Sequence, residues 1–365
     1  MAAMKRISRL RLQQFRRALA DKHVPAALVT DGPDVRYLSG FTGDDSWLLV
    51  GPRRAALLTD SRYAEQAEAE CPGISVVVRR GPMLEALAGA VRRARIRRLG
   101  FDPEKVSVAV RSRLVKALRG VRLVQAGGIA RRLRITKDPS EVRAICRAIQ
   151  AAEEAWRGFC KAVRPGMTEQ RLAAELDHRM RLAGAEGPAF PTICAVDASA
   201  SMPHARPGSR RLKRGSVLLV DFGARVRGYV SDLTRCLFLG RIRPRVRAVY
   251  QAVLEAQSAA ISAVGPGVGL AEVDAAARGV LEAAGFGKAF GHGTGHGIGL
   301  EIHEPPALSP QAAKGRLEPG MVVTIEPGVY LRGRFGIRIE DNVLITERGR
   351  RVLTSLEKDL EAMVV

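Results

Sequence analysis

Residues 162–190, AVRPGMTEQRLAAELDHRMRLAGAEGPAF, and residues 263–290, AVGPGVGLAEVDAAARGVLEAAGFGKAF, match as a pair. Each runs Ala-Val, Pro-Gly, an amphipathic helical stretch, a terminal glycine, then a loop ending in Ala-Phe. A chain that repeats itself in this way builds one supersecondary unit twice and packs the copies together. Each copy leads into strand-like sequence, SVLLVDFGARVRGYVSDLTRCLFLG in the first and MVVTIEPGVYLRGRFGIRIEDNVLIT in the second. As hairpins these place their turns near Val226-Arg227 and near Gly333. Asp221 then faces Asp232 across the first hairpin, and Glu326 faces Glu340 across the second.

Each of these four acids interrupts an apolar strand: LLVDFG, VSDLTR, VTIEPG and RIEDNV. A half-buried carboxylate persists only when paired or bound to a cation, and like charges facing each other across a hairpin repel unless something positive lies between them. Converging carboxylates with an imidazole suit a pair of divalent cations, and the oxygen-rich set favours Mn²⁺ or a similar ion over structural zinc. The imidazoles are at hand, since three of the six histidines fall in GHGTGHGIGLEIHE, residues 291–304. HGTGH has the spacing of two zinc-binding histidines on one helical turn, but its glycines argue for extended chain lying close to a ligand. Alternation along such a strand puts Leu300, Ile302 and Glu304 on the face of His296, and His303 on the other. Spacing does not select among His292, His296 and His303 as the metal ligand.

The remaining features bound the class. The chain has 365 residues, long enough for two domains, and 46% of them are hydrophobic. It contains no apolar run of membrane-spanning length, and its start spreads apolar residues among arginines, so a cytoplasmic location without membrane contact is expected. Five cysteines without a CxxC are expected to be free thiols. The formal charge of +22 is uneven: before Ile135 there are 27 Lys+Arg against 12 Asp+Glu, and from there on 32 against 25. Scattered arginines with only 5% aromatic residues describe a solvated surface better than a nucleic-acid face. The first third alternates helical and strand patterns, and the helix announced by Asp138-Pro139 sets a boundary near residue 133.

VDFGARVRGYVSDLTR, GHGTGHGIGLEIHE, TIEPGVY and GIRIEDNV resemble the successive motifs of the pita-bread metallopeptidases, most of all Xaa-Pro aminopeptidases and Xaa-Pro dipeptidases (prolidases). VRYLSGFTGDDSWLLV and LLTDSRYAEQA resemble that group's creatinase-like N-terminal domain, which methionine aminopeptidases of the same catalytic fold usually lack. The resemblance implies an α/β (α+β) protein: a creatinase-like domain over residues 1–133, then an internally duplicated pita-bread catalytic domain over residues 134–365. It implies that Asp221, Asp232, His296, Glu326 and Glu340 bind two divalent metal ions, Mn²⁺ ahead of Co²⁺ or Zn²⁺. It implies catalytic roles for Glu326, His204 and His303, and substrate contacts for His292, His204, His303 and Arg338. The implied activity is hydrolysis of the Xaa-Pro bond, in dipeptides or at peptide N-termini, by a hydroxide bridging the two ions. The implied partners are proline-containing peptides and a second copy of the chain. One departure is Val196-Asp197-Ala198, where the family more often has a glycine-containing turn. The alternatives are a catalytically altered binding module, disfavoured because all five ligand positions are intact, and a basic nucleic-acid-associated relative, which rests on charge alone.

Overall fold

The structure, a computed structural model, describes residues 2–365. The chain forms two compact units, one ending at Arg134 and the other running from Ile135 to Val365. In the first, helix α1 (Ala2–Asp21) buries Leu12, Phe15 and Leu19, an i, i+3, i+7 stripe. The short apolar runs become β1 (Ala27–Val29), β2 (Trp47–Val50), β3 (Ala55–Thr59), β4 (Ser75–Val78), β5 (Arg98–Phe101) and β6 (Arg122–Gln125). They form one sheet in the order β4-β3-β2-β1-β5-β6, antiparallel from β1 to β3 and parallel at both ends. Helices α2 (Gly32–Ser39), α3 (Ala64–Glu70), α4 (Met83–Arg93), α5 (Val108–Ala117) and α6 (Ile129–Ile135) complete the α/β pattern. Parallel pairs need such crossovers, and α3, α4 and α5 fall where they are needed.

The second unit opens with α7 (Pro139–Ala162). Asp138 accepts hydrogen bonds from the Ser140 and Glu141 amides, the Glu141 side chain accepts one from the Asp138 amide, and Pro139 takes the first turn. The buried face of α7 carries Trp156, whose ring stacks on Phe222 at 5.2 Å. The elements that follow are α8 (Glu169–Leu182), β7 (Gly187–Pro188), β8 (Ile193–Val196), β9 (Val217–Phe222), β10 (Ala224–Val226), β11 (Tyr229–Val230) and β12 (Leu233–Phe238). The second half repeats them with α9 (Pro244–Ala263), α10 (Leu270–Ala283), β13 (Gly295–Gly297), β14 (Glu304–Leu308), β15 (Val322–Ile325), β16 (Gly328–Leu331), β17 (Phe335–Arg338), β18 (Asp341–Thr346) and β19 (Gly349–Val352).

The duplication holds at the level of single hydrogen bonds. Gly166 and Gly267, the glycines of the two Pro-Gly pairs, both adopt positive φ (86° and 81°). Gly166 N donates to Leu212 O, and Gly267 N to Leu317 O, while Arg211 and Arg316 each send a guanidinium nitrogen 2.7 Å to the matching glycine carbonyl. The sheets agree as well, running β8-β9-β12 in one half and β13-β15-β18 in the other. All five cysteines are free thiols, and no described helix is long and apolar enough to cross a membrane.

Two local expectations are corrected. In the first hairpin Asp221 pairs with Thr234, not with Asp232. The turn residues are Arg227 (φ 51°) and Gly228 (φ 74°), one position later than expected, because a tight hairpin turn needs positive φ at both positions and Gly228 supplies the second. Moving a turn by one residue shifts every partner by two, which keeps the face: Asp232 lies diagonal to Asp221 on the same side. The second hairpin has the expected register, with Ile325 opposite Asp341 and Gly328 opposite Arg338, so Glu326 stands opposite Glu340. The second correction concerns His303. The strand ends at Gly297, and the chain turns because Glu304 Oε1 accepts the amides of Leu300 (2.9 Å) and Glu301 (3.1 Å). His303 is thereby brought back against His296, their ring centroids 4.3 Å apart.

Val196-Asp197-Ala198 closes β8 and opens a single 3₁₀ turn, Asp197–Ser201. Asp197 takes the positive φ (48°) that a glycine would, and its carboxylate accepts from Val217 N (3.0 Å) and Ser216 Oγ (2.8 Å). The departure thus ties this turn to the start of β9.

Candidate active site

The acids lie where ladders end or change partner. Asp221 is near the end of β9, Asp232 immediately precedes β12, Glu326 separates β15 from β16, and Glu340 separates β17 from β18. The halves are joined there, since Glu340 N donates to Thr234 O (3.2 Å) and Glu326 N to Thr294 O (2.8 Å). His296 is the middle residue of β13. A Cβ on Gly295 would come within 1.9 Å of Thr324 O, and one on Gly297 within 2.3 Å of Pro305 O, so only glycines let this strand pass between its neighbours. With His296 Nδ1 on Gly297 O (3.1 Å), Nε2 points into the cluster, 3.2 Å from Glu326 Oε1 and 3.6 Å from Asp232 Oδ2.

Four carboxylates and one guanidinium, Arg338, leave this buried cluster with a surplus of negative charge. Burial, joined by the neighbouring acids, pushes the Asp232 and Glu340 carboxyls well above the ordinary range; burial also raises Asp221 despite Arg338 beside it. Burial acts on Glu326 in the same direction, but the His296 hydrogen bond and the charges of His296 and Arg338 outweigh it and bring its pKa down to about 2. Among the described residues, Asp221 Oδ1 and Glu340 Oε1 are buried oxygens with no hydrogen-bond partner. Donor atoms of Asp232, His296 and Glu340 all fall within 4.8 Å of one another. Surplus charge, orphaned oxygens and a convergent oxygen and imidazole donor set fit divalent cations.

Arg338 is committed to the protein. It binds Asp221 Oδ2 through Nη2, Thr234 Oγ1 through Nε (3.0 Å) and Tyr330 OH through Nη1 (2.7 Å). Tyr330 OH lies 3.0 Å from His292 Nε2, and His292 Nδ1 lies 2.8 Å from Gly293 O. The proton arrangement that satisfies every partner has Tyr330 accept from Arg338 and donate to His292, whose own proton sits on Nδ1. Burial, which lowers the His292 pKa, agrees with this neutral ring. Thr234 Oγ1 donates to Glu340 Oε2 (2.7 Å), and Asp274 on α10 accepts from the Thr294 amide (3.0 Å) while its partner Arg278 donates to His292 O (2.9 Å).

A cavity of about 880 Å³ opens over the cluster. All nine residues singled out in the sequence line it: Asp221, Asp232, His296, Glu326, Glu340, His204, His292, His303 and Arg338. Tyr330 and Thr234 were missed. Tyr330 stands four residues after Glu326 and Thr234 two after Asp232, and even spacing from a strand acid is the signal that marks them. Also missed was the buried pair of Lys137 Nζ and Glu304 Oε2 at 3.2 Å, which anchors the turn before His303. Lys137→Met strands a buried carboxylate, and a loss of about 3–5 kcal/mol in denaturant unfolding is expected. A loss below about 1 kcal/mol would show that the pair does not hold this turn.

A buried set of four carboxylates and an imidazole at the floor of an open cavity is the donor set of a metallohydrolase. Residues 143–347 match Metallopeptidase family M24, and residues 11–136 match the Creatinase/Prolidase N-terminal domain. The chain belongs to Metallopeptidase family M24. Among solved structures it is similar to an Xaa-Pro dipeptidase from Bacillus anthracis, with a TM-score of 0.94 and 33% identity over 98% of this chain and 100% of that one. An X-Pro aminopeptidase from Thermotoga maritima superposes with a TM-score of 0.90 and 35% identity over 96% of this chain and 100% of that one. An Xaa-Pro dipeptidase from Pyrococcus horikoshii is 32% identical over 92% of this chain and 94% of that protein.

Proposed function

We propose that this enzyme hydrolyses Xaa-Pro bonds in short peptides, with Asp221, Asp232, His296, Glu326 and Glu340 holding two divalent cations, Mn²⁺ ahead of Co²⁺ or Zn²⁺. The observation that carries this is the buried carboxylate cluster with its orphaned oxygens at the floor of the cavity. Similarity to an Xaa-Pro dipeptidase and an X-Pro aminopeptidase along nearly the whole chain supports the substrate class. Bound divalent cations supply an activated water and polarise the scissile carbonyl. Everything else falls to side chains.

Glu326, ionised across the physiological range, is the group able to take a proton from the attacking water and pass it to the leaving nitrogen. His303, kept from protonation first by burial and then by the neighbouring His296, offers a hydrogen bond toward the substrate, as does His204 on the exposed loop. His292 and Arg338 act differently from the direct substrate contacts expected of them: their polar atoms orient Tyr330 and neutralise Asp221. Phe190, Pro191, Ile193, Pro203 and Ile302 give the cavity an apolar side suited to a proline ring. Arg206 and Lys288, exposed and without an ion pair among the described residues, add positive charge for a peptide carboxylate.

The test compares Ala-Pro, Ala-Pro-Phe, Ala-Ala and N-acetyl-Ala-Pro with Mn²⁺ present. Ala-Pro or Ala-Pro-Phe is expected to be cleaved at least about tenfold faster than Ala-Ala, and the acetylated peptide not at all. Equal rates on Ala-Ala and Ala-Pro would overturn the assignment. The ratio of the two proline substrates sorts dipeptidase from aminopeptidase.

A further inference from the structure

The first unit contains a second hollow, of about 610 Å³, far in sequence from every residue of the metal centre. One side is a single face of α1, where Arg9, Gln13 and Arg16 recur at helical spacing over buried Leu12. The other sides are the turn between β2 and β3, which carries Arg53 and Arg54, and the segment Pro72–Ser75 leading into β4. Four arginines line this hollow, and none of its lining residues is an aspartate or glutamate.

That arrangement differs from how this chain treats its other enclosed arginines. Arg134 meets Asp34 at 2.7 Å, Arg235 meets Asp341 at 2.7 Å, and Arg278 meets Asp274 at 2.8 Å. Arg16 is half-buried, yet its Nε donates to a carbonyl, Gly51 O (2.8 Å), and no carboxylate comes within ion-pair reach. Burial lowers its pKa, the sign of a charge whose lost hydration has no counterion to replace it. The same Gly51 contact holds the Arg16 guanidinium against the turn bearing Arg53 and Arg54. Among the described residues, Arg9, Arg53 and Arg54 form neither ion pairs nor side-chain hydrogen bonds, so their nitrogens are available to a ligand.

We propose that this hollow binds a small anion carrying two or more phosphoryl groups. Guanidinium groups recognise phosphoryl oxygens in pairs, and several arginines facing one space match a ligand with several charges rather than a monoanion. The volume is that of a small-molecule site. A nucleic-acid strand is disfavoured, because no aromatic side chain lines the hollow to stack a base.

Inorganic triphosphate is the probe, titrated calorimetrically into the metal-loaded full-length protein at about 150 mM salt. Arg53→Ser/Arg54→Ser is compared with Arg92→Ser/Arg93→Ser, which removes the same charge from exposed positions at the end of α4. Neither pair belongs to the catalytic cavity, so unchanged Ala-Pro hydrolysis reports that each variant is folded, and any triphosphate held by catalytic metal is common to all three proteins. Wild type and the α4 variant are expected to bind with equal affinity, and the hollow's variant at least about tenfold more weakly. Equal weakening in both variants would assign the binding to diffuse charge and overturn the site. Equal binding in all three would place triphosphate at the metal centre and overturn it too. Absence of binding at millimolar triphosphate, or binding of a short single-stranded oligonucleotide in its place, would likewise rule the site out.

Discussion

Replacing Glu326 with alanine is expected to slow Ala-Pro turnover by about a thousandfold or more, with little change in melting temperature. Glu326 stands opposite Glu340, accepts from His296 and is held ionised by that contact, so it is the acid in the cluster best able to shuttle a proton near neutral pH. The fold should tolerate the change, because it removes one negative charge from a cluster that holds too many and leaves the strands on either side paired. Glu326→Gln sharpens the result: the amide keeps the volume and one oxygen but accepts no proton. A glutamine variant retaining near-wild-type turnover at saturating Mn²⁺ would refute the proton-transfer role. A large drop in melting temperature for both variants would show instead that Glu326 acts structurally.

Asp232→Asn is expected to produce two opposite effects, abolishing the stabilisation that Mn²⁺ confers while raising the melting temperature of the metal-free protein. The sign follows from linkage. Asp232 has a folded pKa above its unfolded one, so its contribution to stability is fully present below the unfolded pKa and is lost as pH rises through the folded value. At about pH 8 the metal-free wild type therefore carries a buried charge that the amide removes, whereas near pH 4 the two should melt alike. A cation reverses the balance in the wild type, and at a concentration a thousandfold above its dissociation constant it adds about 4 kcal/mol. Melting curves with and without Mn²⁺ at the two pH values test this. If the metal-free variant melts below wild type at about pH 8, the carboxylates are not in electrostatic conflict.

Much of this site was legible in the sequence because its chemistry violates the local pattern. An acid inside LLVDFG or VTIEPG is visible without a structure, and the duplicated helices announce that two such strands recur. The register of the first hairpin was misplaced by two residues because Arg227 adopts positive φ, which a non-glycine residue rarely signals. The path after His296 was misread for a different reason. Alternation carries on only while a strand does, and here a side chain seven residues from Gly297, that of Glu304, pulls the backbone into a turn. The Lys137–Glu304 pair joins residues 167 positions apart, and Tyr330 acts through Arg338 and His292; contacts set by tertiary packing leave no periodic trace.

Catalysis by this chain depends on the cluster of Asp221, Asp232, His296, Glu326 and Glu340 working through bound cations. The most direct measurement is the rate of Ala-Pro hydrolysis by protein chelated exhaustively and then returned stepwise to Mn²⁺, with bound metal counted at each step. Activity should vanish on chelation and return as the ions bind, levelling off at two per chain. Undiminished hydrolysis by protein shown to hold no metal would contradict that dependence.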